Sequence, residues 1–416
     1  MIAGLPPRPG QSRAALALYA LAFLGVYLAF MPVLVLLIPR RIESFAPGNA
    51  AVLLSWVLLA GAAMAAAAHI LAGHLSDRWL ARHGNRRGLA LIGAAMLAAS
   101  YLLLAFAHSF GAMLIAILAF QLALNFAFAP LGALLADHFP DRQKGRMSGL
   151  LNAALPASNL AVVAVGIAFA QDGAAAFLVT GAVAVACILP LLVLWPLGAL
   201  HLPAQSVETR VTAPQEVKAN RLRDFRIAWC ARLAVQLGAA FVQGYIYLYL
   251  IETLAAPAAD PAARASQMLA SLAAPAALLA ILATQIAGYL SDRLGQRRRP
   301  LAASALLVGF GMAILSQAGA LVPFIVGYTV FYCGLAAFLS IDTAMVAQLV
   351  AGHPRRGALL GLMNLTNTVP AIIAPVLTLI AFQTSALAEV LGVLFLGCAA
   401  LAMLAGAGVM LIRSVR

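Results

Sequence analysis

Asp342 and Arg232 are the residues of this sequence whose chemistry fits their surroundings least. Asp342 is the only acid well inside an apolar stretch, and Arg232 is the only such base. An ionisable group in hydrocarbon is expensive, so each is a candidate for function: a proton site, or a salt bridge to a solute or to the other. Blander placements compete. The stretch from Ala320 to Ala351 is longer than a membrane, which would put Asp342 in its inner half. Arg232 lies six residues past Arg226, and from there its long side chain could reach the inner surface.

Uncharged polar groups accompany the pair. Arg232, Gln236, Gln243 and Tyr247 share one helical face by their spacing, as do Tyr328, Tyr332 and Asp342 on another helix. Gln121 and Asn125 stand four apart, Asn152 and Asn159 seven apart with Pro156 to bend the helix between them, and Asn364 and Asn367 form a third amide pair. Amides and phenols converging from both halves of the chain suit a hydroxyl-rich or mixed-polarity solute; each taken singly could merely bond a neighbouring helix. His69 reads as structural, and Glu43 and Glu252 as solvated groups near helix ends.

Other chemistries lack their residues. There is no HExxH, GxSxG or Walker lysine motif and no paired intramembrane carboxylate, so neither an enzyme nor an ATP-driven pump is expected. Cys187, Cys230, Cys333 and Cys398 stand in apolar stretches with no CxxC or His partner. They read as small hydrophobes, and no metal or cofactor is expected.

The scaffold follows from composition. The 416 residues are 64% hydrophobic and 9% charged, with mean hydropathy +0.99. That is too little charge to clothe a soluble fold, so the solvent is lipid. Apolar runs long enough to cross a bilayer occur about twelve times, from 14–38 to 386–412, and no segment alternates as a barrel strand would. The first run is too long for a signal-peptide core and is expected to be retained. The net charge of +13 lies in short basic islands between the runs, which orients membrane helices and does not build a nucleic-acid face. With the N-terminus inside, 22 of the 26 Lys and Arg residues fall in inner segments and three (Arg40, Arg41 and Arg264) in outer ones. This predicts a multi-pass protein of the inner or plasma membrane with both termini cytoplasmic.

The chain also repeats. Gly73-His74-Leu75-Ser76-Asp77-Arg78 after the second span matches Gly288-Tyr289-Leu290-Ser291-Asp292-Arg293 after the eighth. Gly84-Asn85-Arg86-Arg87 matches Gly295-Gln296-Arg297-Arg298 once the first copy is allowed a four-residue insertion, Leu80 to His83. Gly149-Leu150-Leu151-Asn152 matches Gly361-Leu362-Met363-Asn364. The hydrophilic stretch 201–226 reads as a connector between an N-terminal six-helix lobe, 1–200, and a C-terminal one, 227–416. Copies with the same membrane orientation make a two-lobed transporter with its axis along the membrane normal.

Through these motifs the whole chain resembles the major facilitator superfamily. The signature of that family between spans 2 and 3, G-x-L-[AS]-D-R-x-G-[RK]-[RK], is met by 288–298 apart from Gln296, and by 73–87 with the insertion. The basic tail Arg297-Arg298-Arg299-Pro300 is similar to the sucrose and glycoside–pentoside–hexuronide branches, and Asp137 to Arg146 resembles the family's acidic–Pro–Arg-Gly element. The resemblance implies an all-α membrane protein of twelve transmembrane helices in two parallel-repeat lobes. It implies a secondary transporter of a small, saccharide-like solute by alternating access, coupled to protons and acting as a monomer. The alternatives are a proton-driven exporter of sugars, drugs or amphiphiles, and a polytopic enzyme acting on lipids. The span-4 arginine and Gly-rich span 5 of drug/proton antiporters are missing, which disfavours drug export.

Physical chemistry gives the repeated loops a gating role. Gly73 and Gly288 would let helices approach closely. Asp77 and Asp292 would accept hydrogen bonds from a helix N-terminus. Arg78, Arg146, Arg293 and Asp137 would join an inner-face ion-pair network, made when the cavity opens outward and broken when it opens inward. The alternative is positive charge that sets topology and nothing more.

Overall fold

The computed structural model describes residues 11–139, 141–169, 172–197, 215–350, 356–381 and 386–414. They form twelve helices and, among the described residues, no strand: α1 Arg13–Phe45, α2 Ala50–His83, α3 Arg87–Ala105, α4 Phe110–His138, α5 Asp141–Ala168, α6 Gly173–Leu194, α7 Gln215–Leu250, α8 Pro261–Leu294, α9 Arg298–Ser316, α10 Leu321–Leu349, α11 Arg356–Ala381 and α12 Leu387–Val409. Eleven are long and apolar enough to cross a membrane, and the described apolar stretch of α5, Ala153–Ala168, is shorter. Lipid leaves no backbone group unpaired, which is why the apolar runs fold as helices. Their starts are marked by side-chain caps: Ser12 on Ala15 N, Ser109 on Ala112 N and Asp172 on Ala175 N.

The packing repeats with the chain. In the first half α1 lies on α5 and α6, α3 on α4 and α6, and α2 on α4; six helices later α7 lies on α11 and α12, α9 on α10 and α12, and α8 on α10. Across the interface α2 meets α11 and α5 meets α8, contacts that exchange under the same six-helix offset. Close approach comes from glycines at matching places. Gly93 of α3 sits against the backbone of Phe126 and Ala127, and Gly311 of α9 against that of Phe331, leaving no room for a Cβ at either.

The repeated motif departs from expectation in three ways. Gly73–Arg78 and Gly288–Arg293 are not loops but the last turns of α2 and α8. These helices run on past the hydrocarbon until Gly84 (φ 69°) and Gly295 (φ 59°) adopt the left-handed conformation that stops them. Gly73 is also not a point of close approach, because a Cβ there would meet nothing within 4 Å; one on Gly288 would make only ordinary contact, 3.5 Å from Ser340 Oγ. Asp77 pairs with Arg86 at 2.8 Å, in place of a helix N-terminus.

Candidate binding cavity

The two lobes are joined at the end remote from the basic motifs. There the Ser55 hydroxyl, one turn into α2, lies 2.7 Å from the Tyr245 hydroxyl of α7. Gly166 of α5 packs against Ala270 of α8, and Gly244 against Leu58. Behind this seal a cavity of about 400 Å³ lies between the lobes, lined from α1, α2, α4 and α5 on one side and from α7, α10 and α11 on the other.

One wall is polar. Arg232 Nη1 donates to Asp342 Oδ2 at 2.9 Å, with Asp342 fully buried and the arginine side chain 16% exposed. Arg232 Nη2 donates to Asn367 Oδ1 at 3.3 Å, and Gln236 Nε2 donates to the same oxygen at 2.7 Å. Asn367 in turn donates to Asn364 Oδ1 at 3.1 Å. Three helices, α7, α10 and α11, thus converge on one guanidinium. The sequence left open whether Arg232 reaches the surface or pairs with Asp342; it pairs. Asp342 Oδ1 and Arg232 Nε remain buried with no hydrogen-bond partner among the described residues, an unusual cost for a group of either kind.

The facing wall is aromatic and aliphatic. Tyr27, Phe30 and Phe128 line it, with Gln121 and Asn125 as its amides. The Asn125 Nδ2 donates to Gln121 O at 2.9 Å, so its Oδ1 faces His69 Nδ1, 3.0 Å away. His69, read as structural, therefore holds a cavity-lining amide in orientation.

Of the sequence candidates, Gln121, Asn125, Arg232, Gln236, Gln243 and Asn367 line the cavity, and Asn364 stands behind Asn367. Asn159, Tyr247, Tyr328 and Tyr332 do not. Asn159 is 3% exposed, and Tyr247 turns away to reach Ala262 O at 3.3 Å. Tyr328 and Tyr332 are packed against one another and against Phe324 and Phe331. Their stripe is shared with Asp342, but it faces the core of the lobe as well as the cavity, and aromatic bulk favours the core. The side chains of Asn152, Arg146 and Asp292 lie outside the described residues. Sequence reasoning missed Tyr27, Phe30, Phe128 and Tyr245, because aromatic residues within an apolar run give no contrast.

The basic end holds the ion pairs, differently arranged than expected. Arg86, which belongs to the repeated motif but was given no role of its own, is buried and donates to Asp137 Oδ2 (2.7 Å), Asp77 Oδ1 (2.8 Å) and Ser76 Oγ (2.7 Å). Burial alone would depress its pKa, but the hydrogen bonds from Arg86 to Asp137 and Asp77 outweigh it and hold the guanidinium above its usual value. Arg78 and Arg293 are exposed. Asp77, Arg86 and Asp137 all belong to one lobe, so these ion pairs do not themselves join the two lobes.

Residues 15–375 match the profile of the Major Facilitator Superfamily. The fold is similar to the crystal structure of a bacterial homologue of the human lysosomal transporter Spinster in its inward-facing, unoccupied conformation, with a TM-score of 0.70, 13% identity and 96% of each chain covered. The inward-facing, occupied conformation of such a homologue gives 0.66, with the same identity and coverage. Among curated proteins none matches the sequence.

Proposed function

The chain belongs to the major facilitator superfamily, and on that premise we propose that this secondary transporter moves a small amphipathic organic solute with an acidic or strongly polar head, coupled to protons. The observation that carries the reading is the one-sided cavity: the guanidinium of Arg232 with Gln236, Gln243 and Asn367 on one wall, and mainly aromatic and aliphatic side chains, with the amides Gln121 and Asn125, on the other. A saccharide would need hydrogen-bond partners spread over both walls, and of the two facing amides Asn125 is already engaged by His69. An amphipathic solute uses each wall for what it offers, burying its apolar body at about 25 cal/mol per Å². Of the alternatives, this favours amphiphiles over sugars and leaves the direction of transport open to test.

Coupling follows from the ion pair. Arg232 is committed to Asp342 while the carboxylate is charged. A proton taken up on the unpartnered Asp342 Oδ1 would neutralise the acid and free the guanidinium for the solute's own anionic group. Proton and solute then enter together, because the charges balance when both are bound or neither is, and binding one alone leaves an uncompensated charge. Alternating access requires the seal at Ser55 and Tyr245 to open while the basic end closes. We place the lobes at 1–200 and 227–416 with 201–226 as their connector, and both termini in the cytoplasm with the protein in the inner or plasma membrane, on the Lys and Arg distribution.

The test is uptake into proteoliposomes under an imposed pH gradient, across amphipathic acids, uncharged amphiphiles and saccharides. Amphipathic acids should accumulate. With Asp342→Asn, exchange should persist while gradient-driven accumulation is lost; accumulation unchanged in that variant removes the proton assignment.

A further inference from the structure

The start of α9 differs from its counterpart in the other lobe in a way that the transport cavity does not explain. Aligning Gly84 with Gly295 puts Arg87 opposite Arg298 and Gly88 opposite Arg299. The first pair does the same work in both lobes. Arg87 donates to the carbonyls of Leu192 (2.6 Å) and Val193 (2.9 Å) at the end of α6, and Arg298 donates to that of Ile412 (2.6 Å) just past α12. Each ties the third helix of its lobe to the sixth.

The second pair diverges. In the first lobe the space over Gly88 is filled by the Trp79 indole, which leaves no room for a Cβ and is itself stacked on His83 at 4.4 Å. The position matching Trp79 in the second lobe is Leu294, which is exposed and fills nothing. There the space is a cavity of about 330 Å³ lined by Gln296, Arg298, Arg299 and Met410, with no carboxylate among the described lining residues. The first turn of α9 adds backbone N–H groups that no side chain caps.

The surroundings identify what would enter. Arg298 begins the membrane span Arg298–Ser316, so the cavity sits at headgroup level. Counting along the face of α9 from Arg299, Ala303, Leu306 and Phe310 are all exposed, a lipid-facing stripe that starts at the cavity and runs down the helix. Met410, just past α12, is exposed beside it. A free anion would use the arginines and ignore the stripe. A phospholipid uses both.

We propose that the cavity between the start of α9 and the end of α12 binds the phosphate of an anionic glycerophospholipid, with Arg299 and the uncapped α9 turn as its donors and the α9 stripe against an acyl chain. The first lobe has lost the site to Trp79. Binding is measured on the full-length protein in neutral detergent by native mass spectrometry, with phosphatidylglycerol and phosphatidylcholine as probes, so the readout does not depend on transport. One phosphatidylglycerol should be retained in preference to phosphatidylcholine. Arg299→Gly, which copies the first lobe, should lower its occupancy about fivefold, the worth of one arginine near a lipid phosphate. Arg264→Gly, an equal loss of charge at the far end, should leave it unchanged. Arg299→Gln repeats the measurement without adding a flexible residue to the first turn of α9. Millimolar inorganic phosphate should not displace the lipid. Equal retention of the two lipids, or occupancy untouched by both Arg299 variants, overturns the proposal; displacement by inorganic phosphate makes the pocket a free-anion site and overturns its lipid occupant. Trp79→Leu combined with Gly88→Arg should create a second bound lipid, and a folded double variant that still holds one removes the explanation drawn from the repeat.

Discussion

In the second lobe one guanidinium on α7 holds a carboxylate of α10 and an amide of α11, which Gln236 also reaches, at the cavity; in the first, the matching wall offers Tyr27, Phe30 and Phe128 with two amides, of which Asn125 is held by His69 and by the Gln121 carbonyl. The basic ends invert this. There the first lobe holds a buried arginine shared by two acids and a serine, tying α2 to α4. The lobes share packing, glycine contacts and helix stops, and differ in where each has put its charge. Duplication thus fixes the backbone frame, while the side chains that meet solute and membrane are free to diverge.

The largest expected effect breaks the charged wall. Asp342→Ala leaves Arg232 uncompensated in a buried site, a loss of about 3–5 kcal/mol. Thermal unfolding should drop accordingly and uptake should vanish. Gln121→Ala on the facing wall should keep the protein folded and raise KM only a few-fold, the worth of one neutral hydrogen bond. If the two variants behave alike, the cavity is not one-sided.

Next comes the basic end. Arg86→Ala removes the bonds that one buried guanidinium makes to Asp137, Asp77 and Ser76 and should cost about 1–3 kcal/mol in thermal stability. Arg78→Ala, at an exposed position of the same motif, should change stability by no more than about 0.5 kcal/mol. Equal losses would mean that the motif acts through overall charge and not through the Arg86 network.

The smallest effect is at the seal between the lobes. Tyr245→Phe removes the hydroxyl contact to Ser55, worth about 1 kcal/mol. The population with the remote end open should rise about fivefold, read as faster thiol labelling of a Leu58→Cys reporter. Unchanged labelling would show that apolar contact alone, such as that of Gly166 with Ala270, holds the lobes together.

Much of this molecule was readable before folding. Twelve spans, their repeat and the isolation of Asp342 and Arg232 follow from composition and spacing, because hydrocarbon penalises unpaired polar groups uniformly along the chain. The amides at Gln121, Asn125, Gln236, Gln243 and Asn367 were legible for the same reason. Arg86 was not, since it stood among other basic residues in a loop where charge costs little, and only the close arrival of Asp77 and Asp137 distinguishes it. Tyr328 and Tyr332 misled because a helical stripe has two flanks, and spacing does not say which flank faces a cavity.

Sequence by itself therefore determined the solvent, the number of helices and the identity of two repeated lobes, all consequences of transfer free energy summed over local stretches. Tertiary structure alone decided which residues meet: that Arg232 turns to Asp342 and not to the surface, that Trp79 fills one lobe's pocket while the other stays open, and that the lobes are joined at one end. Those outcomes depend on distances between helices far apart in the chain, and no local pattern of residues encodes a distance.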